Sequence, residues 1–122
     1  MEESLQFPSA GLTLAGVLHH PNPEIACDAR RRPAVIVLQG FGGSKNTNVI
    51  VETTRLFASL GYFALRFDMR GCGESEGVRG RVICLEQVED ARAALRCLQQ
   101  RDDIDPDRIT VMGHSFGAAV AI

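Results

Sequence analysis

The sequence predicts an α/β protein with a mostly parallel sheet and an antiparallel hairpin at its N-terminus. After residue 33, apolar runs that suit strands alternate with patterns that suit helices. The run at residues 34–38 is continuous and rich in β-branched side chains, as expected of a parallel strand buried on both faces. Consecutive parallel strands require crossovers, which are right-handed in nearly all proteins. We therefore expect one wound sheet with helices packed against it.

The N-terminal region is predicted as two antiparallel strands. Residues 5–7 form the first strand, residues 8–11 supply a turn that contains Pro and Gly, and residues 12–18 form the second strand. The stretch from 21 to 33 is polar and contains several Pro and Arg residues, so it is predicted as a surface loop.

The remaining elements follow in alternating order, and glycines mark several of their ends. They are a strand at 34–38, a glycine loop at 40–43, a helix over 49–60, a strand at 62–67, a glycine-rich loop at 68–80, a helix over 84–98, a turn at 105–107 and a strand at 109–112.

Length, charge and cysteine content bound the class of protein. A chain of 122 residues allows one domain, and a net charge of −2 argues against binding to nucleic acid or to a membrane surface. No apolar stretch approaches the roughly 20 residues of a membrane-spanning helix. The four cysteines form no metal-binding spacing, and no signal peptide precedes them. We therefore expect a cytoplasmic protein whose reduced thiols, Cys27 included, pack as small apolar groups.

The segment Gly113-His114-Ser115-Phe116-Gly117 carries the strongest chemical signal. It matches the G-x-S-x-G nucleophile elbow, and it lies between an apolar run and a run of small residues. A strand, a sharp turn and a helix would leave the Ser115 hydroxyl exposed at the top of the sheet. Ser115 is therefore the predicted nucleophile.

A serine nucleophile also requires donors for the oxyanion that it creates. The backbone N–H of Phe116 lies at a predicted helix N-terminus and is one candidate. The loop after the first parallel strand, at 39–43, should supply the other, and the N–H of Phe41 is the predicted donor.

Other chemistry is weakly supported. The loop at 40–45 lacks the Gly before Lys45 and the Ser or Thr after it that a phosphate-binding Walker A loop contains, and neither glycine loop completes G-x-G-x-x-G. We expect no cofactor and no metal. None of the three histidines follows Ser115, so none has the usual chain order of a triad base. We predict structural or surface roles for His19 and His20, and a packed or backbone-bonded His114.

Four ordered motifs resemble those of the α/β-hydrolase superfamily, closest in character to dienelactone-hydrolase-like and serine-aminopeptidase-like esterases and peptidases. They are the loop at 39–43, the Asp-x-Arg-Gly loop that starts at Asp68, the turn at 105–107 and the elbow at 113–117. Gln39 stands where the family usually has His. The resemblance implies that Asp68 and Arg70 support the oxyanion loop structurally and are not part of the catalytic triad.

The resemblance also bears on completeness. Family members continue for three further strands that carry the triad acid and the triad His, so residues 1–122 are expected to be the N-terminal part of a single domain, truncated just after the elbow. A C-terminal part of the same protein or a second chain would complete it, and self-association stays open as an alternative.

The expected function is hydrolysis of an ester, thioester or amide of a small acyl substrate through an acyl-enzyme on Ser115. The alternatives are an inactive truncated fragment of such a hydrolase, and C–C bond hydrolysis or haloperoxidase-type chemistry on the same scaffold.

Overall fold

One mixed sheet of five strands forms the centre of the structure. The computed structural model describes residues 1–25 and 30–122. The strands lie in the order β1-β2-β4-β3-β5. The elements are β1 Glu2–Ser9, β2 Leu12–His19, β3 Arg32–Leu38, α1 Asn48–Ser59, β4 Phe63–Phe67, α2 Cys84–Gln99, β5 Ile104–Gly113 and α3 Phe116–Ala121.

The strand directions confirm the predicted α/β fold class. β3 pairs in parallel with both β4 and β5, whereas β2 pairs antiparallel with β1 and with β4. The three parallel strands are joined by α1 and α2, and the hairpin extends the sheet on the β4 side. β5 forms the opposite edge, where no further strand of the described chain pairs with it.

The N-terminal hairpin is longer and its turn is tighter than predicted. β1 and β2 pair in full register from Glu2 to Ser9, and the turn consists only of Ala10 and Gly11. Both turn residues have positive φ, 48° and 80°, which matches the twist that two-residue hairpins favour. The predicted four-residue turn at 8–11 is therefore wrong, because Pro8 and Ser9 belong to the strand.

The start of β5 also differs from the prediction. The strand begins at Ile104, which pairs with Arg32, and the register then shifts so that Ala34 pairs with Ile109. The predicted turn at 105–107 is an irregularity within the strand, in which the Asp107 N–H donates to the Asp105 carboxylate at 3.0 Å. A strand that bulges in this way hides its first residues from pattern analysis.

The connection predicted for 21–33 is described only in part. Residues 26–29, and with them the prediction for Cys27, lie outside the described residues. β3 already begins at Arg32, so the loop ends earlier than predicted. The other cysteines, Cys72, Cys84 and Cys97, are half-buried free thiols that pack against the main core.

The core lies mainly on one face of the sheet. That face packs against α2 and α3 and contains Leu14, Leu18, Ile36, Leu65 and Phe67, all almost fully buried. The opposite face carries a smaller cluster of Val35, Val37, Ala64 and Ile50, the last of which is on α1. Among residues 1–25 and 30–122, no helix has the length and apolar content to cross a membrane.

Candidate active site

The loop between β5 and α3 holds Ser115 in an uncommon backbone conformation. Its φ is 57° and its ψ is −116°, whereas residues other than glycine rarely adopt a positive φ. Strain of this kind costs on the order of 1–3 kcal/mol and persists only where the surroundings enforce it. The Ser115 residue is exposed at the end of the strand. This is the geometry of a nucleophile elbow.

The two glycines of the elbow are required by close backbone contacts. A Cβ on Gly113 would lie 2.0 Å from the carbonyl oxygen of Gly117. A Cβ on Gly117 would lie 2.5 Å from the Gln39 carbonyl oxygen and 2.7 Å from that of Leu38. The turn can therefore close, and α3 can approach the end of β3, only without side chains at these positions.

The loop at 39–43, the predicted oxyanion loop, lies beside the elbow. The His114 N–H donates to the Leu38 carbonyl at 3.1 Å, and a Cβ on Gly40 would lie 3.5 Å from the Ser115 Cβ. The rings of Phe41 and Phe116 meet edge to face with centroids 6.1 Å apart. The structure thus brings together all three residues singled out from the sequence, Ser115, Phe41 and Phe116.

Two backbone N–H groups lie at this place, those of Phe41 and Phe116. Within the described part of the chain, neither the Phe41 nor the Phe116 backbone N–H donates to another group. In contrast, the next two amides of α3, those of Gly117 and Ala118, donate to His114 and Ser115 carbonyls. Two N–H groups next to an exposed serine can receive an anionic oxygen.

Gln39 joins the oxyanion loop to the loop after β4. The residue is 1% exposed. Its Nε2 donates to the Gly43 carbonyl at 2.7 Å, and its Oε1 accepts from the Met69 N–H at 2.9 Å. The amide therefore uses both of its ends on backbone groups and ties the two loops together.

Asp68 is the centre of a buried cluster under the same loop. Its carboxylate accepts from the N–H of Lys45 at 2.8 Å, from the Lys45 Nζ at 2.7 Å and from the N–H of Glu74 at 2.9 Å. Burial alone would lower the pKa of Lys45, but its hydrogen bonds to Asp68 and Glu74 outweigh that effect and raise the pKa. The predicted structural role of Asp68 fits these contacts.

Arg66 holds the segment that follows the oxyanion loop. Its Nη1 donates to the Lys45 carbonyl and to the Asn46 Oδ1, and its Nε donates to His19 Nε2 at 3.0 Å. Nε2 of His19 is therefore unprotonated. Burial, together with the nearby Arg66 charge, lowers the pKa of His19 although Glu2 opposes the shift.

Arg70 joins the loop after β4 to α2 through a buried partner, Asp90, that was not predicted from the sequence. Asp90, fully buried on α2, accepts from the Arg70 N–H at 2.9 Å, from its guanidinium and from the Ser9 hydroxyl at 2.7 Å. Asp90 lies on the face of α2 that packs against the protein, where apolar periodicity predicts only nonpolar side chains. An Asp at such a position was the available signal.

The histidines lie in three different settings. His19 is buried and His20 pairs with Glu3 at 2.8 Å, which agrees with structural roles. His114 is bonded through its backbone and its side chain is exposed, which agrees with the backbone-bonded one of the two predicted alternatives.

The fold and the strained serine between strand and helix define the chain as an α/β-hydrolase. The profile of the family described as serine aminopeptidase, S33, matches residues 29–122, and the chain belongs to that family.

The chain is also similar to individual proteins. It is 32% identical over 114 residues to the quorum-quenching protein AidA of Acinetobacter baumannii, and the match covers 93% of this chain and 36% of AidA. It is 38% identical over 91 residues to the thiohydrolase aneE of Aspergillus aculeatus, which covers 74% of this chain and 28% of that protein. The crystal structure of XC6422 from Xanthomonas campestris, an α/β serine hydrolase without a lid, superposes with a TM-score of 0.78 at 25% identity, over 98% of this chain and 53% of XC6422. The chain thus spans about a third of the length of these curated relatives.

Proposed function

We propose that this chain carries the nucleophile and the oxyanion hole of a serine hydrolase that works through an acyl-enzyme. The observation that carries the proposal is the strained, exposed Ser115 beside the N–H groups of Phe41 and Phe116, neither of which donates to any group among residues 1–25 and 30–122. The relatives named as hydrolases support the class of reaction.

In the proposed reaction the Ser115 Oγ attacks the carbonyl carbon of the substrate as a general base removes its proton. The carbonyl oxygen becomes an oxyanion and accepts from the Phe41 and Phe116 N–H groups. The tetrahedral intermediate then expels the leaving group, which takes the proton from the base. Water, activated by the same base, then attacks the carbonyl carbon of the acyl-enzyme. The carboxylic acid product leaves, and the Ser115 Oγ takes its proton back from the base.

The base and its acid are proposed to come from outside residues 1–122, either from a C-terminal part of the same protein or from a second chain. His19 cannot serve, because its Nε2 is committed to buried Arg66. A small ester, thioester or amide is the proposed substrate. A thioester has support from the thiohydrolase relative, and no cofactor enters the scheme.

A fluorophosphonate probe tests the nucleophile. The complete polypeptide should become labelled, and Ser115→Ala should abolish the labelling because the reacting oxygen is gone. Ser59→Ala is the matched control, since Ser59 is an exposed serine on α1 and should not affect labelling. Labelling that survives Ser115→Ala would exclude Ser115. A polypeptide that is folded but unlabelled would favour the alternative, an inactive member of the family.

A further inference from the structure

We propose that Gln39 is a positioning residue for the oxyanion hole, which it aligns through both ends of its side-chain amide. The inference rests on the proposed function, because alignment of the Phe41 N–H matters only if an oxyanion forms there. The amide lies between the oxyanion loop and the loop after β4, and it touches neither Ser115 nor the proposed reacting atoms.

The two hydrogen bonds of Gln39 fix the loop that carries Phe41. The Gly43 N–H donates to the Gly40 carbonyl at 3.2 Å, which closes the loop as a turn. The Gly43 carbonyl in turn accepts from Gln39 Nε2 at 2.7 Å. Phe41 lies within this closed turn, so the direction of its N–H depends on the position of Gly43.

The other end of the amide fixes where that turn sits. Gln39 Oε1 accepts from the N–H of Met69, which is fully buried and belongs to the core. The backbone of Gln39 is also held, because α3 packs so closely that a Cβ on Gly117 would lie 2.5 Å from the Gln39 carbonyl oxygen. The Gln39 side chain is therefore held at its backbone and at both ends of its amide.

The chemistry of the two partners allows only one kind of group. Gly43 offers an acceptor and Met69 offers a donor, so the side chain at position 39 must donate at one end and accept at the other. An ionised carboxylate only accepts. Gln39→Glu would place a negative oxygen against the Gly43 carbonyl, and protonation of that carboxyl at lower pH would restore a donor.

Steady-state kinetics of the complete polypeptide with an activated ester test the role. At pH 8, Gln39→Glu should lower kcat by about 10- to 100-fold with little change in KM, since a small displacement of a positioning group costs turnover. The ratio of its kcat to the wild-type kcat should rise as the pH falls. The other charged or polar groups near position 39, Asp68, Lys45 and His114, are the same in both proteins, so the ratio reports the substitution itself.

Two further variants keep the test decisive. The near-isosteric Gln39→Met removes both bonds without a charge, and its loss of kcat should not depend on pH. Should Gln39→Glu fail to fold, the Met variant alone decides. Gln6→Glu makes the same chemical change at an exposed position on β1 and should behave as wild type.

Each outcome has one meaning. If the wild type turns over and Gln39→Met has an unchanged kcat, the role of Gln39 is overturned and the proposed function stays intact. The same holds if the substitution changes KM alone. A Gln39→Glu ratio that stays constant with pH would also overturn it. Absence of Ser115-dependent turnover in the wild-type polypeptide would overturn the proposed function, and the role of Gln39 with it.

Discussion

At the scale of single residues, the Phe41 backbone N–H carries a testable share of the proposed catalysis. Phe41→Pro removes this donor, and loss of one oxyanion donor costs about 100- to 1,000-fold in turnover in other enzymes. We expect a fall of that size in kcat of the complete polypeptide. Phe41→Ala, which keeps the N–H and removes the exposed ring, is the control and should lose much less. Full activity in a Phe41→Pro variant with wild-type melting would exclude this donor.

Gly117 tests the close approach of α3 to β3. An added methyl group would meet the carbonyl oxygens of Gln39 and Leu38 at 2.5 and 2.7 Å, and both are backbone atoms that cannot rotate away. Gly117→Ala should therefore lower the free energy of unfolding by about 1–3 kcal/mol, the usual cost of overpacking. Urea denaturation measures the change. Ala119→Ser, at an exposed position of the same helix, should cost little, and equal stability of the two variants would contradict the close contact.

At the scale of elements, the pairing of β2 with β4 should make stability depend on pH. His19 lies at the end of β2, and its imidazole accepts from Arg66 of β4. Its pKa is lower in the folded chain than the ordinary value of 6.5, so the unfolded chain binds a proton more readily. The contribution of neutral His19 to the free energy of unfolding is therefore complete above pH 6.5 and is lost as the pH falls below that value.

Urea midpoints of wild type and His19→Gln across this pH range check the prediction. Gln can accept from Arg66 but does not titrate, so the difference in stability between the two proteins should change below pH 6.5 with a slope of at most about 1.4 kcal/mol per pH unit. The difference should be constant at alkaline pH. A difference that stays constant throughout would contradict the prediction that folding lowers the pKa of His19.

The elements themselves could largely be predicted from the sequence, because each strand and helix carries a local pattern. The parallel strands β3 and β4 and both long helices lie within a few residues of their predicted bounds. The irregular start of β5 was missed because residues 105–107, which follow its first residue Ile104, have turn chemistry and no alternation.

The supporting contacts of the candidate site could not be predicted, for a different physical reason. The elbow and the glycine loop are contiguous motifs, and their neighbourhood follows from parallel strands that end at one edge. The Asp68 bonds to Lys45 and the Asp90 bond to Ser9 join residues 23 and 81 positions apart. No periodicity in the sequence records which distant polar groups meet once the chain folds.

At the scale of the whole molecule, the outer edge of β5 governs how residues 1–122 should behave as a separate polypeptide. That edge is unpaired in the described chain, and next to it lies an apolar groove between α2, β5 and α3, lined by Val88, Leu95, Val111, Val120 and Ile122. Unpaired edges recruit other chains. We expect the isolated polypeptide to self-associate in sedimentation experiments and to show no turnover that depends on Ser115.

A charge on that edge provides the control. Thr110 is exposed on β5, and Thr110→Lys should reduce the association, since edge lysines oppose strand pairing. A monodisperse, cooperatively folding wild-type polypeptide of residues 1–122 would contradict the prediction.

The place of the supporting residues along the chain has a consequence for synthesis on the ribosome. Gln39 and Lys45, with their partners Asp68, Met69 and Glu74, all emerge before the elbow, and β1 to β4 already form a contiguous sheet without β5. Synthesis delivers the N-terminal residues of a chain first. The loop at 40–43 can thus close onto its partners while Ser115 is still untranslated. Of the two proposed donors, only the Phe41 N–H belongs to this early loop, and the Phe116 N–H joins it when the elbow forms.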